Sequence, residues 1–393
     1  MVVGVPAERT ADERRVALVP AAVDALAKAG IEVLVQAGAG VAAGFSDTDY
    51  EARGARLAGG SGDLLATADL IVCVGPPGAG GAQGGEAGVS VAGLRSGQVL
   101  VGLLAPFDDG PLVQRLAATG VTSFALELLP RVSRAQAMDA LSSMATIAGY
   151  KAVLLAAVQL DKMFPMMITA AGTLTPVKVL VVGAGVAGLQ AIATARRLGA
   201  VVTGYDIRPA VKEQVESLGA RFLELELAAG EAEDKDGYAA AMDENFYRRQ
   251  RALRAAAVAG SDVVVTTAAV PGKRAPVLIT GEMVRGMSSG SMIVDVAAET
   301  GGNCELTRAG ETVEAHGVTI LGPVALPATV PMHASQMYSR NVAAFVLNLV
   351  KAGRPALDDA DEIIQQTMLT RAGEVVNESV RESLAQSAPG PDP

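Results

Sequence analysis

One stretch decides the fold: residues 177–206 read VKVLVVGAGVAGLQAIATARRLGAVVTGYD. A mostly apolar run, 177–182, enters a glycine-rich turn at 183–188, and apolar residues then recur at helical spacing as far as Leu198. A second apolar run follows and ends at Asp206. This pattern predicts a strand, a tight turn, a helix and a second strand with an acid at its carboxyl end.

The turn has the GxGxxG spacing of a dinucleotide-binding fingerprint. Gly183 permits the sharp turn, Gly185 lets the backbone approach a pyrophosphate, and Gly188 lets the helix pack closely on the strand. The helix would offer free N–H groups to the phosphates. Asp206 can accept hydrogen bonds from an adenosine ribose and would repel a 2′-phosphate, which favours NAD over NADP. A chance match in a glycine-rich chain is the alternative, but the strands, helix and acid all fall in register.

Length and composition limit the number of domains and the classes of function that the chain can have. A chain of 393 residues is long enough for two or three domains. Half of its residues are apolar and it contains no Trp, so its cores must be built from smaller aliphatic side chains. The net charge of −10 disfavours nucleic-acid binding, which depends on basic surface. Charge, Gly or Pro interrupts each apolar run before the roughly 18 residues that a membrane span needs, so a soluble, cytoplasmic protein is expected.

The chain has too few cysteines for a disulfide framework and too few histidines for a metal site built from them. Cys73 and Cys304 cannot form a disulfide framework, and His316 and His333 lack partners at metal-ligand spacing. We therefore predict that the protein holds no metal.

Short apolar strands alternate with helical patterns both before and after the glycine motif. This alternation predicts α/β architecture with mostly parallel sheets. Before it, strands are expected at 2–5, 32–36, 70–74, 98–103 and 121–125, and helices at 21–29 and 110–118. After it, strands are expected at 221–225, 263–267, 292–296 and 318–321, and helices at 209–218, 251–259, 281–287, 334–351 and 359–368. The segment 168–176 is interpreted as a crossing segment, 75–93 as a surface loop, and 228–245 as a disordered loop or a lid.

The densest polar chemistry lies in residues 128–151, LLPRVSRAQAMDALSSMATIAGYK. If this stretch is helical, Gln136 and Asp139 share one face and Ser142 follows on it, with Arg131 in the preceding loop. A capped surface helix is the alternative interpretation. Nearer the N-terminus, Arg9, Arg14 and Arg15 lie in a charged segment, and one of these basic residues, if buried beside a cleft, would suit a carboxylate substrate. A solvated charged turn before a helix explains the same residues.

Three motifs resemble the NAD(H)-binding domain I of proton-translocating nicotinamide nucleotide transhydrogenases and, more distantly, alanine dehydrogenases. The motifs are RVSRAQAMDALSSMATIAGY at 131–150, GAGVAGLQAI with YDIRP between 183 and 209, and VVVTTAAVPGKRAP through VDVAAETGGNCE between 263 and 305. The resemblance covers nearly the whole chain, and within that family the chain is similar to the separately encoded α1 subunit.

The resemblance implies two Rossmann-like, doubly wound parallel-sheet domains, the first of them discontinuous, with the NAD cleft between them. The first would contain residues 1–141 and 328–385, the second 142–327, and 386–393 would form a disordered tail. The residues implied to orient the reacting groups are Arg131, Gln136 and Asp139. Those implied to bind the cofactor are Ser142, Gly183, Gly185, Val186, Gly188, Asp206, Ile207, Arg208, Gly237, Tyr238, Ala268 and Val270, with Gly237 and Tyr238 in a mobile loop that closes over the nucleotide.

The implied activity is that of a Re/Si-specific, proton-translocating NAD(P)+ transhydrogenase subunit. NAD(H) would bind this chain and pass hydride directly to NADP+ held by a partner. The implied partners are a second copy of the chain, an NADP(H)-binding β subunit and a small membrane-spanning α subunit. These partners alone would bring the chain to the inner face of the plasma membrane.

Two departures separate the chain from alanine dehydrogenases. Those enzymes are implied to use a Lys and a His in the regions that here read VCVGPP, 72–77, and LLAP, 103–106. The acid–base groups of an amino-acid dehydrogenase are therefore missing, although Arg15 matches a carboxylate anchor. An alanine or other amino-acid dehydrogenase and a non-catalytic NAD-sensing subunit are the alternative functions.

Overall fold

The structure is a computed structural model that describes residues 1–8, 12–78, 88–224, 244–269 and 272–387. The chain divides into two compact units, one of residues 1–144 with 327–393 and one of residues 145–326. The predicted domain boundaries, 141/142 and 327/328, lie three residues and one residue from these divisions.

The elements of the described residues are numbered in chain order. The segment before residue 160 contains β1 (Val2–Val5), α1 (Pro20–Lys28), β2 (Glu32–Gln36), α2 (Asp47–Glu51), β3 (Arg56–Ala58), α3 (Ser61–Thr67), β4 (Leu70–Val72), β5 (Val99–Gly102), α4 (Gly110–Ala118), β6 (Thr122–Ala125) and α5 (Ala140–Gln159). The middle segment contains β7 (Met167–Thr169), β8 (Gly172–Leu174), β9 (Lys178–Val182), α6 (Val186–Arg197), β10 (Val201–Tyr205), α7 (Lys212–Ser217), β11 (Arg221–Phe222), α8 (Glu244–Ala259), β12 (Val263–Thr266), α9 (Gly281–Arg285), β13 (Met292–Asp295), β14 (Thr312–Ala315) and β15 (Val318–Leu321). The last segment contains α10 (Pro331–Leu349), β16 (Val350–Lys351), β17 (Arg354–Pro355), α11 (Glu362–Thr367), β18 (Met368–Arg371), β19 (Glu374–Val375) and α12 (Glu378–Ser387).

The first unit is built on a sheet whose described strands run in the order β3-β2-β1-β4-β5-β6-β18-β19. The first six of these strands are parallel, and their order is the doubly wound 3-2-1-4-5-6 arrangement. β18 and β19 add an antiparallel edge from the C-terminal segment. Helix α10 returns to the same unit, where the Tyr338 hydroxyl donates to the Cys73 carbonyl at 2.7 Å and Ser335 Oγ accepts from Val16 N at 3.0 Å. The first unit is therefore discontinuous in sequence.

The second unit repeats the same winding. Its described strands run β11-β10-β9-β12-β13-β15-β14, and only β14 is antiparallel to its neighbour. Alternate residues of β9 enter opposite cores, Val179 and Val181 on one face and Leu180 and Val182 on the other. Burial on both faces explains why this strand is a continuous apolar run. The predicted fold class, two Rossmann-like doubly wound domains with the first discontinuous, is confirmed.

The helix expected at 209–218 is present, as a 3₁₀ turn at Pro209–Val211 that continues into α7. Two other local predictions were wrong. Segment 168–176 forms the hairpin β7–β8 rather than a crossing segment. Helix α12 includes residues 386 and 387, which the prediction assigned to a disordered tail, whereas 388–393 lie outside the described residues.

Helix α5 is the one helix of the described residues that is long and apolar enough, by length and composition, to cross a membrane. The sequence pattern predicts no such helix, because Gly149 and Lys151 interrupt this run. Ala152, Val153 and Ala156 are buried in the core of the second unit. Packing inside the fold thus accounts for the buried face of α5, whereas Val158 near its end is exposed.

Candidate functional site

The glycine turn after β9 has the geometry that a dinucleotide fingerprint requires. Gly183 has φ +99°, a left-handed value that favours glycine. A Cβ at Gly188 would lie 1.8 Å from the Gly183 carbonyl oxygen, so only glycine allows α6 to approach the turn. A Cβ at Gly185, in contrast, would meet no atom of the described residues within 4 Å. Gly185 therefore borders open space.

The first turn of α6 offers backbone donors beside this space. The amides of Val186, Ala187 and Gly188 have no acceptor among the described residues, and the first backbone bond into the helix is Leu189 N to Gly185 O at 2.8 Å. Free N–H groups and the positive end of the helix dipole form an anion site. The turn and helix thus fit the pyrophosphate of a dinucleotide.

Asp206 follows β10 and is already held by several donors. Its Oδ2 accepts from Ala184 N at 2.8 Å, and its Oδ1 accepts from Arg208 N at 2.9 Å. The Arg208 guanidinium pairs with both oxygens. Burial acts to raise the pKa of Asp206, but these hydrogen bonds outweigh burial and hold the pKa below its ordinary value. Asp206 is therefore an ionised acceptor, and the neighbouring Ile207 is exposed.

The loop after β12 depends on a residue that the sequence motifs did not single out. Asn303 is fully buried and clamps the peptide of Ala268: its Oδ1 accepts from Ala268 N at 2.9 Å and its Nδ2 donates to Ala268 O at 2.8 Å. Nδ2 also donates to Pro276 O at 2.9 Å. Thr267 Oγ1 donates to the Gly183 carbonyl at 2.9 Å, which joins this loop to the glycine turn. The sequence feature that could have pointed to Asn303 was its position in the motif VDVAAETGGNCE, which follows the end of a predicted strand.

Three predicted cofactor residues have no described position. Gly237, Tyr238 and Val270 lie outside the described residues. Their roles remain predictions.

In the first unit, the polar motif forms a 3₁₀ helix, Ser133–Met138, that the C-terminal segment holds in place. Arg134 pairs with both oxygens of Asp361, at 3.0 and 2.6 Å, and lowers the pKa of that carboxyl to about 2. Asn341 Nδ2 donates to the Ala137 carbonyl at 2.9 Å. Arg131 and Gln136 are exposed, and their side chains have no hydrogen-bond partner within the described ranges. The motif thus presents two unengaged polar side chains on an anchored turn.

The expected single helix through this motif is wrong. Gln136 belongs to the 3₁₀ helix, whereas Asp139 caps the start of α5. Asp139 Oδ1 accepts from Ser142 N at 2.8 Å, and the Ser142 hydroxyl donates to Asp139 Oδ2 at 2.6 Å. A side chain that caps a helix satisfies its first N–H groups, and this requirement interrupts the helical geometry at Asp139.

The first unit has its own switch point between β1 and β4, but an acidic side chain occupies it. Glu8 Oε1 accepts from Val74 N at 2.7 Å and Glu8 Oε2 accepts from Gly75 N at 3.2 Å. Burial raises the pKa of Glu8 to about 7, although these two N–H groups act in the opposite direction. A carboxyl group thus takes the backbone donors that a phosphate would need.

Two further charged side chains of the first unit, Arg15 and Glu127, form hydrogen bonds within the protein. Arg15 is mostly buried, and its Nε donates to Glu13 Oε1 at 2.7 Å while Nη2 donates to Oε2. Glu127 Oε1 accepts from Ala105 N at 2.7 Å, but its Oε2 is buried without a hydrogen-bond partner among the described residues. Burial raises the pKa of Glu127 to about 7. The described residues contain no group of His, Cys, Asp and Glu side chains that could hold a metal ion.

Comparison with known proteins places these sites in a family. A family model described as alanine dehydrogenase/PNT, N-terminal domain, matches residues 4–148, and the corresponding C-terminal domain model matches residues 152–378. A protein of Rhodospirillum rubrum, named as the first part of an NAD(P) transhydrogenase subunit alpha, is 43% identical over 381 residues, which are 96% of this chain and 98% of that protein.

Solved structures show the same relationship. A transhydrogenase structure from Sinorhizobium meliloti matches with a TM-score of 0.82 and 40% identity over 96% of this chain and all of that one. An L-alanine dehydrogenase matches with a TM-score of 0.81 and 27% identity, covering 98% of this chain and 99% of that one.

Proposed function

The chain belongs to the alanine dehydrogenase/PNT family, and we propose that it is the NAD(H)-binding component of a Re/Si-specific, proton-translocating transhydrogenase. In this function the chain holds NAD(H) while a partner subunit holds NADP(H), and hydride passes directly between the two nicotinamides. Relatives that carry the transhydrogenase name are 40–43% identical to this chain, whereas the solved alanine dehydrogenase is 27% identical. The resemblance drawn from the three motifs is thus confirmed at the level of the family.

The second unit supplies the binding half of this function. Gly185 and the free amides at the start of α6 hold the pyrophosphate, and Asp206 holds the adenosine ribose. The bound dinucleotide supplies the hydride that is transferred. The clamp of Asn303 on Ala268 keeps the loop after β12 in a fixed conformation beside the glycine turn.

The first unit supplies orientation rather than acid–base chemistry. Arg131 and Gln136 are exposed on an anchored turn, so they are available to the nicotinamide end or to the partner subunit. Asp139 fixes the start of α5 and the rotamer of Ser142. Hydride transfer between two nicotinamides moves no O–H or N–H proton, so positioning is the contribution it needs from the protein.

The observation that carries the proposal against an amino-acid dehydrogenase is the pairing of Arg15 with Glu13. A keto acid would need the Arg15 guanidinium for its carboxylate, and here both Nε and Nη2 are engaged by the protein's own carboxylate. Segments 72–77 and 103–106 provide neither Lys nor His. Cys73 lies in the first of them, and burial raises the pKa of its thiol well above the ordinary value.

Assembly belongs to the same proposal. Apolar side chains are exposed along the end of α5 and the hairpin β7–β8, where Val158 is 85% exposed and Met166, Ile168 and Leu174 are each more than half exposed. We expect a second copy of the chain to cover this surface and form a homodimer. The NADP(H)-binding β subunit and a small membrane-spanning α subunit would complete the enzyme and hold this cytoplasmic chain at the inner face of the plasma membrane.

An assay of the purified chain alone tests the choice between the two family activities. With NADH, pyruvate and ammonium we expect NADH to bind, measured by calorimetry, but not to be oxidised. The binding measurement on the same sample serves as the control for correct folding. Turnover at an ordinary dehydrogenase rate, about 1 s⁻¹ or more, would remove the proposal in favour of an amino-acid dehydrogenase.

A further inference from the structure

The carboxylate of Asp206 has no free acceptor position in the protein without nucleotide. Oδ1 accepts from Arg208 N at 2.9 Å and Arg208 Nε at 3.0 Å, and Oδ2 accepts from Ala184 N at 2.8 Å and Arg208 Nη2 at 3.0 Å. An ionised carboxylate offers about four lone-pair positions. These four donors therefore saturate it.

Ribose hydroxyls can reach Asp206 only if some of these donors leave. Ala184 N and Arg208 N belong to the backbone of the turn and of the strand end, so they are fixed. The guanidinium is the donor that can leave, because the Arg208 side chain is 58% exposed whereas that of Asp206 is 7% exposed. An exposed partner finds solvent as soon as it rotates away, which keeps the cost of breaking such a pair small.

We propose that Arg208 is a specificity residue of the adenosine-ribose site: it fills Asp206 in the free protein, gives way to the ribose hydroxyls of NAD(H), and becomes the ligand of a 2′-phosphate only when Asp206 carries no charge. This inference rests on the proposed function only in requiring that the second unit binds NAD(H).

The physical basis is competition for one guanidinium. A 2′-phosphate placed at the ribose would pair well with Arg208, since Arg binds phosphate through two parallel N–H groups. While Asp206 is ionised, it both retains Arg208 and repels the phosphate. Removal of this one charge reverses both effects, so discrimination between NAD(H) and NADP(H) depends on the pair and not on Asp206 alone.

Binding of NADH and NADPH to four variants tests the inference. The variants are Asp206→Asn, Arg208→Ala, the double variant, and Arg285→Ala as a control that removes an exposed positive charge elsewhere in the second unit. Because the chain contains no Trp, calorimetry and the fluorescence of the reduced nicotinamide report binding without interference.

For Asp206→Asn we expect NADH affinity to fall about ten- to a hundredfold and NADPH affinity to rise at least about tenfold. The double variant should lose the gain for NADPH. Arg208→Ala alone should bind NADH more tightly than the wild type, since it removes the competitor of the ribose. Arg285→Ala should change neither affinity, and thermal unfolding should show each variant folded.

Two outcomes would overturn the inference. If the double variant binds NADPH as tightly as Asp206→Asn, Arg208 is not the ligand of the phosphate. If Arg208→Ala weakens NADH binding about tenfold, Arg208 anchors NAD(H) rather than giving way to it. Failure of the wild type to bind NADH at all is a different result, because it contradicts the proposed function before any variant is compared.

Discussion

Asp206 and Glu127 are both carboxylic acids that follow the carboxyl end of a strand, yet their surroundings shift their pKa values in opposite directions. Asp206 has four donors, which hold its pKa below the ordinary value against the effect of burial. Glu127 Oε1 accepts from Ala105 N, its Oε2 is buried without a partner among the described residues, and burial outweighs its backbone hydrogen bonds and raises its pKa to about 7. At this level, the balance between burial and hydrogen bonding sets the direction in which the pKa of each acid moves.

Replacement of Glu127 by Gln should flatten the pH dependence of stability. Because the folded pKa of Glu127, about 7, exceeds its ordinary value of 4.5, its contribution is fully present below pH 4.5 and is lost as pH rises to about 7. Gln resembles the protonated acid and avoids this loss. We expect equal stability of variant and wild type near pH 4.5, and a variant more stable by up to about 3 kcal/mol at pH 8.

Urea unfolding at a series of pH values measures this difference. Glu311→Gln, which alters an exposed acid of the second unit, is the matched control and should follow the wild type at each pH. A wild type that gains stability relative to Glu127→Gln between pH 5 and pH 8 would contradict the assignment of a raised pKa.

Side-chain pairing was the part of the site that the sequence could not supply. The motif identified Asp206 and the three glycines because backbone geometry and spacing impose them. It did not reveal that Arg208 pairs with Asp206 or that Glu13 pairs with Arg15. The side-chain rotamers determine whether such a group contacts another residue of the protein or a ligand. Asn303 was missed for a related reason: its role comes from bonds to Ala268 and Pro276, which are distant in sequence.

At the level of a single element, substitutions of the glycines around the start of α6 can distinguish an effect on NADH binding from an effect on folding. Gly185→Ala should fold as the wild type does, since its backbone is extended, with φ −79° and ψ −167°, and a Cβ there meets open space. The added methyl group would project where the pyrophosphate approaches, so we expect NADH affinity to fall at least about tenfold. Calorimetry and thermal unfolding of the same sample measure both properties.

Gly188→Ala is the matched comparison. A Cβ there would lie 1.8 Å from the Gly183 carbonyl oxygen, so the helix must move, and the free energy of unfolding should fall by about 3 kcal/mol. If Gly185→Ala keeps full NADH affinity, or if it is destabilised as much as Gly188→Ala, the assignment of Gly185 to the pyrophosphate is wrong.

Edge hairpins were the elements that sequence patterns failed to predict. The turns of β14–β15 and β18–β19 contain His316-Gly317 and Ala372-Gly373, with positive φ at both central residues. Such turns usually contain Asn-Gly or Asp-Gly, so the sequences His-Gly and Ala-Gly did not predict them. The buried parallel strands, in contrast, were placed to within two residues where their apolar runs are continuous, as in β1 and β9.

At the scale of the whole molecule, two units share one strand order but not one ligand chemistry. In each, the six parallel strands, numbered among themselves in chain order, follow the 3-2-1-4-5-6 winding with a switch point at its centre. Within the described residues, which omit 9–11 and 79–87, a glycine turn with free helix amides lies at the switch point of the second unit, while in the first unit Glu8 accepts from the backbone donors of Val74 and Gly75. The fold therefore allows a ligand at both switch points, and local residues decide which one receives a dinucleotide.

Isotope labelling tests whether hydride passes directly from NADH on this chain to NADP+ on a partner. NADH that carries deuterium at the transferred position is mixed with this chain and with the NADP(H)-binding subunit loaded with NADP+, and the NADPH formed is analysed by mass spectrometry. We expect one deuterium in each NADPH and no NADPH when either protein is omitted. NADPH that contains hydrogen from solvent, or no NADPH from the complete mixture, would contradict it.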